Sequence, residues 1–80
     1  MKRQKLRYIC TPQWLRDNNG ALRKAYRLHV LDISGKRPCL LRTVNDVCSS
    51  QGRARQLEAL LCRNQVSPRH VLDVLEDWLP

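Results

Sequence analysis

The sequence predicts an α+β domain in which a three-stranded antiparallel meander carries a C-terminal helical hairpin on one face, in the order β-β-β-α-α. Three observations lead there. Residues 6–44 alternate apolar and polar side chains and are cut by two turn signals, Asp17-Asn18-Asn19-Gly20 and Ser34-Gly35. Residues 49–79 switch to apolar recurrence at three and four positions, the period of a helix. Within that second part Ser67-Pro68 reads as a helix start. Eighty residues make one domain with one modest core, and residues 1–5 are expected to fray.

The first strand is Leu6-Arg7-Tyr8-Ile9-Cys10-Thr11, with Leu6, Tyr8 and Cys10 on one face. Pro12 has no N–H to give a ladder, so this is an edge strand or one that bends there, with Trp14 and Leu15 resuming the pairing. Asn19-Gly20 supplies residues that accept positive φ in a hairpin. The best strand covers residues 25–33, where Tyr26, Leu28 and Val30 alternate with Arg27 and His29. Leu31-Asp32-Ile33 breaks that phase and predicts a bulge or a change of buried face. Pro38 opens a third strand over residues 39–44.

The first helix is capped by Ser49 or Ser50. Ala54, Leu57, Leu60 and Leu61 form its stripe, with Cys62 beside it and Arg53, Arg55, Glu58 and Arg63 on the wet side. Asn64-Gln65-Val66-Ser67 joins the two helices. The hydroxyl of Ser67 is expected to cap the second helix, with Pro68 at its first position and a staple from Val66 to Val71. Val71, Leu72, Leu75, Trp78 and Leu79 share the apolar face. Neither helix is long enough to stand alone in water, so both require the sheet as a floor.

The net charge of +8 is uneven: residues 1–42 hold eleven Lys or Arg against two Asp, whereas residues 43–80 hold four Arg against five acids. Such asymmetry points to an acidic partner, nucleic acid being one class. Arg7, Arg23, Lys24, Arg27, Lys36, Arg37 and Arg42 lie on strands or at their turns, where an exposed Tyr8, Trp14 or Tyr26 would stack a base. Against this, Phe is absent and neither helix presents a basic face suited to a groove. The other class is a protein-interaction module. Glu76 and Asp77 fall in the last turn of a helix, where exposed acids are unfavourable, and they flank Trp78, a frequent binding anchor. The competing reading has the two acids paired with sheet arginines and Trp78 filling the core.

Catalytic and metal chemistry find little support. There is no phosphate-binding Gly-rich loop, nucleophile elbow or His-Glu-x-x-His pattern. Cys10, Cys39, Cys48 and Cys62 are never nearer than nine positions, unlike the close pairs of structural zinc sites. No apolar run approaches membrane-spanning length, and no hydrophobic segment follows the basic N-terminus, so a cytoplasmic address and reduced thiols are expected. The expectation is a non-enzymatic, cofactor-free accessory or regulatory protein that meets a protein partner, with nucleic-acid binding as the alternative.

Val44-Asn45-Asp46-Val47, a helix of about four turns, and the run from Asn64-Gln65-Val66-Ser67-Pro68 to Glu76-Asp77-Trp78-Leu79 carry a resemblance. They resemble a family of small, uncharacterised Gram-positive bacterial proteins. Its members have a Tyr opening a central strand, here Tyr26, and end on a Val/Leu-Glu-Asp-aromatic-Leu pattern. The resemblance covers about residues 25–79 and is most specific in 64–79. Cys48 and Gly52 depart from it, standing where a capping Ser and a polar helix former are expected. It implies the β-meander and helical hairpin, and no activity.

Overall fold

The computed structural model describes residues 4–78. Its elements run β1 (Leu6–Arg16), β2 (Leu22–Asp32), β3 (Cys39–Cys48), α1 (Gln51–Asn64), a 3₁₀ turn (Pro68–His70) and α2 (Val71–Trp78). The strands form one antiparallel sheet in the order β1-β2-β3, and the two helices pack on one face of it: the α+β meander expected from sequence.

β1 and β2 pair without interruption from Leu6–Asp32 to Arg16–Leu22. The Ile33 N–H donates to Lys5 O, and the Asp17 N–H donates to Ala21 O, both at 2.9 Å. These two bonds mark opposite ends of one register, so the odd-numbered residues of β1 bond inward and the even-numbered ones point their peptide groups outward. Pro12 lies opposite Tyr26 on an outward rung, so its missing donor removes no ladder bond. β1 therefore runs straight through the proline as an edge strand. Lys5, expected to fray, is tied by the same ladder; the rest of the N-terminal fray falls mostly outside the described residues, as does Leu79.

The turn after β1 is built by Asp17, whose Oδ1 accepts from the N–H groups of Asn19 and Ala21 at 2.9 Å each. Gly20 has φ 82°, a conformation glycine adopts without a Cβ penalty. β2 begins three residues earlier than the alternation suggests, because Leu22, Arg23 and Lys24 pair with Arg16, Leu15 and Trp14. The phase break near Leu31 is a register shift between Val30 and Leu31, and the surplus residue sits on β3 as Leu41.

β3 also exceeds its expected end. It continues past Val44 to Cys48 through a second irregularity, in which Asp46 takes φ 56°. Aspartate tolerates this region better than most residues. The bulge is tied across the sheet: Gln13 Oε1 accepts from the Asp46 N–H at 3.1 Å, and Arg23 forks onto the Asp46 carboxylate at 3.1 and 2.7 Å. Ala25, the strand partner of Gln13, is fully buried on this otherwise uncovered face.

The core lies between sheet and helices. Leu6, Tyr8 and Cys10 of β1 and Tyr26, Leu28 and Val30 of β2 meet Ala54, Leu57 and Leu61 of α1 and Val71 and Leu75 of α2. Ser50 caps α1, its Oγ accepting from the Arg53 N–H at 3.4 Å. At the other end Gln65 takes φ 45°; its N–H donates to Cys62 O, and the Val66 N–H to Leu61 O, the paired bonds of a Schellman motif. α2 starts differently from expectation. Pro68–His70 winds as a 3₁₀ turn closed by the His70 N–H on Ser67 O, and the Ser67 hydroxyl contacts His70 Nδ1 at 3.1 Å instead of capping a backbone amide. Val66 is half-buried against the core and Val71 fully inside it. Leu72 is a correction: it is exposed, and Val74 takes its place against the core.

Candidate functional site

Two candidate surfaces were expected, the acidic end of α2 and the cationic strands. Trp78 is half-buried and packs against the core. The Arg53 guanidinium lies over its indole at 4.5 Å, and Arg53 Nη2 donates to Trp78 O at 3.3 Å. Arg53 thus places positive charge at the negative end of α2 and covers part of the indole. Glu76 and Asp77 are exposed and make no ion pair among the described residues, so the expected sheet arginines do not hold them. Glu76 borders a hollow of about 210 Å³ between α2 and the β3 bulge, floored by Val44, Val47, Leu72 and Leu75 and faced by Asp46. A wider hollow of about 580 Å³ opens beside the 3₁₀ turn, between Gln4, Leu41 and His70.

The strand cations do not form one surface. Side-chain alternation puts Arg7, Arg23 and Arg27 on the open face of the sheet, but Lys24 and Arg42 on the helix face. Lys36 and Arg37 sit in the opposite hairpin, a strand length of about 30 Å from Arg23. Several are already engaged. Arg23 holds Asp46, whose carboxyl this pair keeps below the usual carboxylate range. Lys24 lies 5.7 Å from the Tyr26 ring, and Arg42 reaches Pro68 O at 3.4 Å. Arg27 leaves a buried Nε without a hydrogen-bond partner among the described residues. Of the aromatics expected to stack bases, Tyr8 and Tyr26 are buried in the core, a correction forced by the helices covering that face. On the open face His29 instead bridges the strands, with Nε2 at 3.0 Å from Thr11 Oγ1 and Nδ1 at 3.4 Å from Thr43 Oγ1.

The remaining aromatic, Trp14, is exposed as that expectation requires, and together with Leu22, which the sequence did not single out, it marks a further surface. Trp14 is 65 % exposed and Leu22 58 % exposed. Both point to the helix face of the sheet, beyond the reach of the helices, on the projecting β1–β2 hairpin. Lys24 stands opposite Trp14 and Arg16 opposite Leu22, so apolar and cationic side chains alternate there. The signal in the sequence was the even spacing of Trp14 with Leu6, Tyr8 and Cys10, which continues the core stripe past the end of the core.

The other half of β1 is closed by α1. Glu58, expected on the wet side, has a side chain only 17 % exposed and accepts the outward Cys10 N–H at 2.6 Å and Arg55 Nη1 at 2.5 Å. Gln65 accepts the outward Leu6 N–H at 2.9 Å and donates to Leu6 O at 3.1 Å. The Tyr8 hydroxyl donates to Val66 O, and burial raises its pKa to about 12. Burial, aided by the Glu58 charge, likewise raises the Cys10 thiol to about 12. All four cysteines are free, with Cys39 and Cys62 exposed and Cys48 half-buried. Among the described residues no group of three or more His, Cys, Asp or Glu is placed to hold a metal ion, and no helix is long and apolar enough to cross a membrane.

No curated protein and no solved structure matches the chain. A protein-family model does, over residues 1–80 and hence beyond the stretch that carried the resemblance: the chain belongs to the family of unknown function DUF6514.

Proposed function

We propose that this protein is a non-catalytic interaction module that recognises another protein, with the projecting β1–β2 hairpin as its principal contact surface and the Glu76–Leu72 hollow as a second. The observation that carries the reading is that Trp14 and Leu22, diagonal neighbours on one face of the β1–β2 ladder, are large apolar side chains held in the open where they serve no core. Exposed apolar clusters rimmed by charge mark interaction sites, and Trp and Arg are the side chains most enriched at binding hot spots. Glu76 and Asp77 stay available as rim charges, while Trp78, stacked under Arg53, supports α2 and is not the anchor. The nucleic-acid alternative is weakened because Arg7, Arg23 and Arg27 face away from Trp14 and Lys36 and Arg37 sit in the opposite hairpin, which leaves Lys24, of the seven expected cations, beside the indole.

The test is site-specific photo-cross-linking in the native cell. A benzophenone amino acid replaces Leu22, with the same probe at Arg69 as a control on the far side. The reading predicts a discrete protein adduct at position 22 that nuclease leaves intact and that position 69 does not give. Adducts that vanish with nuclease, or equal labelling at both positions, would remove it.

A further inference from the structure

We infer that the open half of β1, residues 12–16, receives an extended acidic segment of the partner as an added strand, its apolar side chains lying on Trp14 and Leu22. The inference rests on the protein-recognition reading and adds the mode of binding and the chemistry of the occupant. The even-numbered residues of β1 point their peptide groups away from β2. Leu6 and Cys10 spend theirs on Gln65 and Glu58. The N–H groups of Trp14 and Arg16 have no partner among the described residues, and the Pro12, Trp14 and Arg16 carbonyls face the same way. Donors and acceptors repeated every second residue are what an incoming strand reads, and side chains set its specificity. Glu58 limits the register, because an added strand advancing from Arg16 meets that carboxylate at Cys10. About five residues, roughly 17 Å, are available.

Charge selects the occupant. Arg23 is neutralised by Asp46, but Arg16 and Lys24 flank Trp14 and Leu22 without a carboxylate partner among the described residues. The Asp17 carboxylate is turned into its own loop by two N–H groups. A second copy of this chain would bring the same cations and a net charge of +8, and like charges across a strand pair are unfavourable. An acidic segment with alternating apolar residues complements both features.

The experiment pans a phage-displayed library of random seven-residue peptides against the full-length protein and measures the enriched peptides by fluorescence anisotropy. Enrichment of Asp and Glu alternating with Val, Ile or Phe is expected. Trp14→Ala weakens binding at least about tenfold, as loss of a hot-spot side chain does. Trp14→Pro, which also lacks the outward N–H, weakens it about fivefold more. Neither substitution removes a β1–β2 ladder bond, so both keep the parent circular dichroism. If Trp14→Pro fails to fold, Arg16→Pro against Arg16→Gln asks the same question at the second donor. Basic or Pro-rich peptides, equal affinity of the Ala and Pro variants, no enrichment over a blank surface, or a dimer that blocks the peptides would each overturn the inference. A nuclease-resistant adduct at position 22 alongside any of these leaves protein recognition standing and removes only the added strand. Nuclease-sensitive adducts remove both.

Discussion

Replacing Glu58 by Ala tests how the closed half of β1 is held. The Glu58 carboxylate accepts the Cys10 N–H at 2.6 Å beneath α1, with its side chain 17 % exposed. A hydrogen bond to a charged acceptor contributes about 1.5–3 kcal/mol, and its removal leaves a sheltered backbone donor unmet. Taking about 2 kcal/mol, and about 4–8 °C per kcal/mol for a domain of this size, Glu58→Ala lowers Tm by roughly 8–16 °C. Glu58→Gln retains an acceptor and loses about half as much. Arg55→Ala, which breaks only the exposed outer contact, shifts Tm far less. Thermal melts by far-UV circular dichroism at pH 7 rank the three variants, and the Glu58→Ala loss persists in 1 M NaCl because its partner is a peptide group. A Glu58→Ala melt within about 2 °C of the parent, or an Arg55→Ala melt that matches it, would refute the assignment.

Further outcomes follow from the same geometry. Tyr8→Phe removes the bond to Val66 O and lowers stability by about 1 kcal/mol in urea unfolding. Tyr8 and Cys10 have folded-state pKa values of about 12, above their ordinary 10.0 and 9.0, so the stability from their neutral forms is intact below those ordinary values. It falls as pH rises from there to about 12; alkaline melts of Tyr8→Phe with Cys10→Ala should be flatter over that window, and an unchanged slope counts against the burial argument. A thiol reagent such as DTNB should react quickly with Cys39 and Cys62, more slowly with Cys48 and with Cys10 only on unfolding; rapid modification of Cys10, read by peptide mass mapping, contradicts its placement. Asp46→Val combines a β-branched side chain at φ 56° with loss of the Arg23 partner and destabilises more than Asp46→Asn, by about 1–2 kcal/mol from the backbone alone. Because Arg23 holds the Asp46 carboxyl low, the pair stabilises the fold above the ordinary carboxylate value and is lost as pH falls through the lowered one, so acid melts of the parent and Asp46→Asn converge there.

The elements that sequence reading located are those whose signals are local. Alternation, the Asp17–Gly20 turn and the leucine stripe each declare themselves within a few residues, and the fold class follows. Boundaries failed where a distant partner decides them. β3 runs past Val44 because Gln13 and Arg23, far away in the chain, tie the Asp46 bulge to the sheet and let pairing resume at Cys48. Ser67 is a good cap by type, yet a 3₁₀ turn after Pro68 draws its hydroxyl to His70. Glu58 looked wet because it is charged and falls with Arg53, Arg55 and Arg63 off the leucine stripe; only the outward parity of Cys10 gives it a buried task. The same limit hid the site. Alternation already set Arg27 apart from Tyr26 within a strand, but the register that brings Lys24 beside Trp14 and Asp46 onto Arg23 joins distant residues and leaves no local signal.

Element lengths explain why the exposed hairpin exists. α1 has 14 residues at about 1.5 Å each, roughly 21 Å, whereas β1 has 11 at about 3.3 Å, roughly 36 Å. The helix is anchored at the Leu6 end by Gln65, so the shortfall of about 15 Å falls at the other end, over Pro12–Arg16. No element of the described chain is long enough to cover that overhang, yet it carries Trp14 and Leu22 on the face that would need covering. A core residue and an overhang residue respond oppositely to truncation. Leu57 is fully buried on the sheet-facing side of α1, and Leu57→Ala is expected to lower stability by about 2.7–5 kcal/mol. Trp14→Ala, although it removes a larger side chain, should stay within about 0.5 kcal/mol of the parent in urea unfolding while peptide binding weakens at least about tenfold. Were Trp14→Ala to destabilise as Leu57→Ala does, the indole would be structural and the hairpin would have no reason to be read as a contact surface.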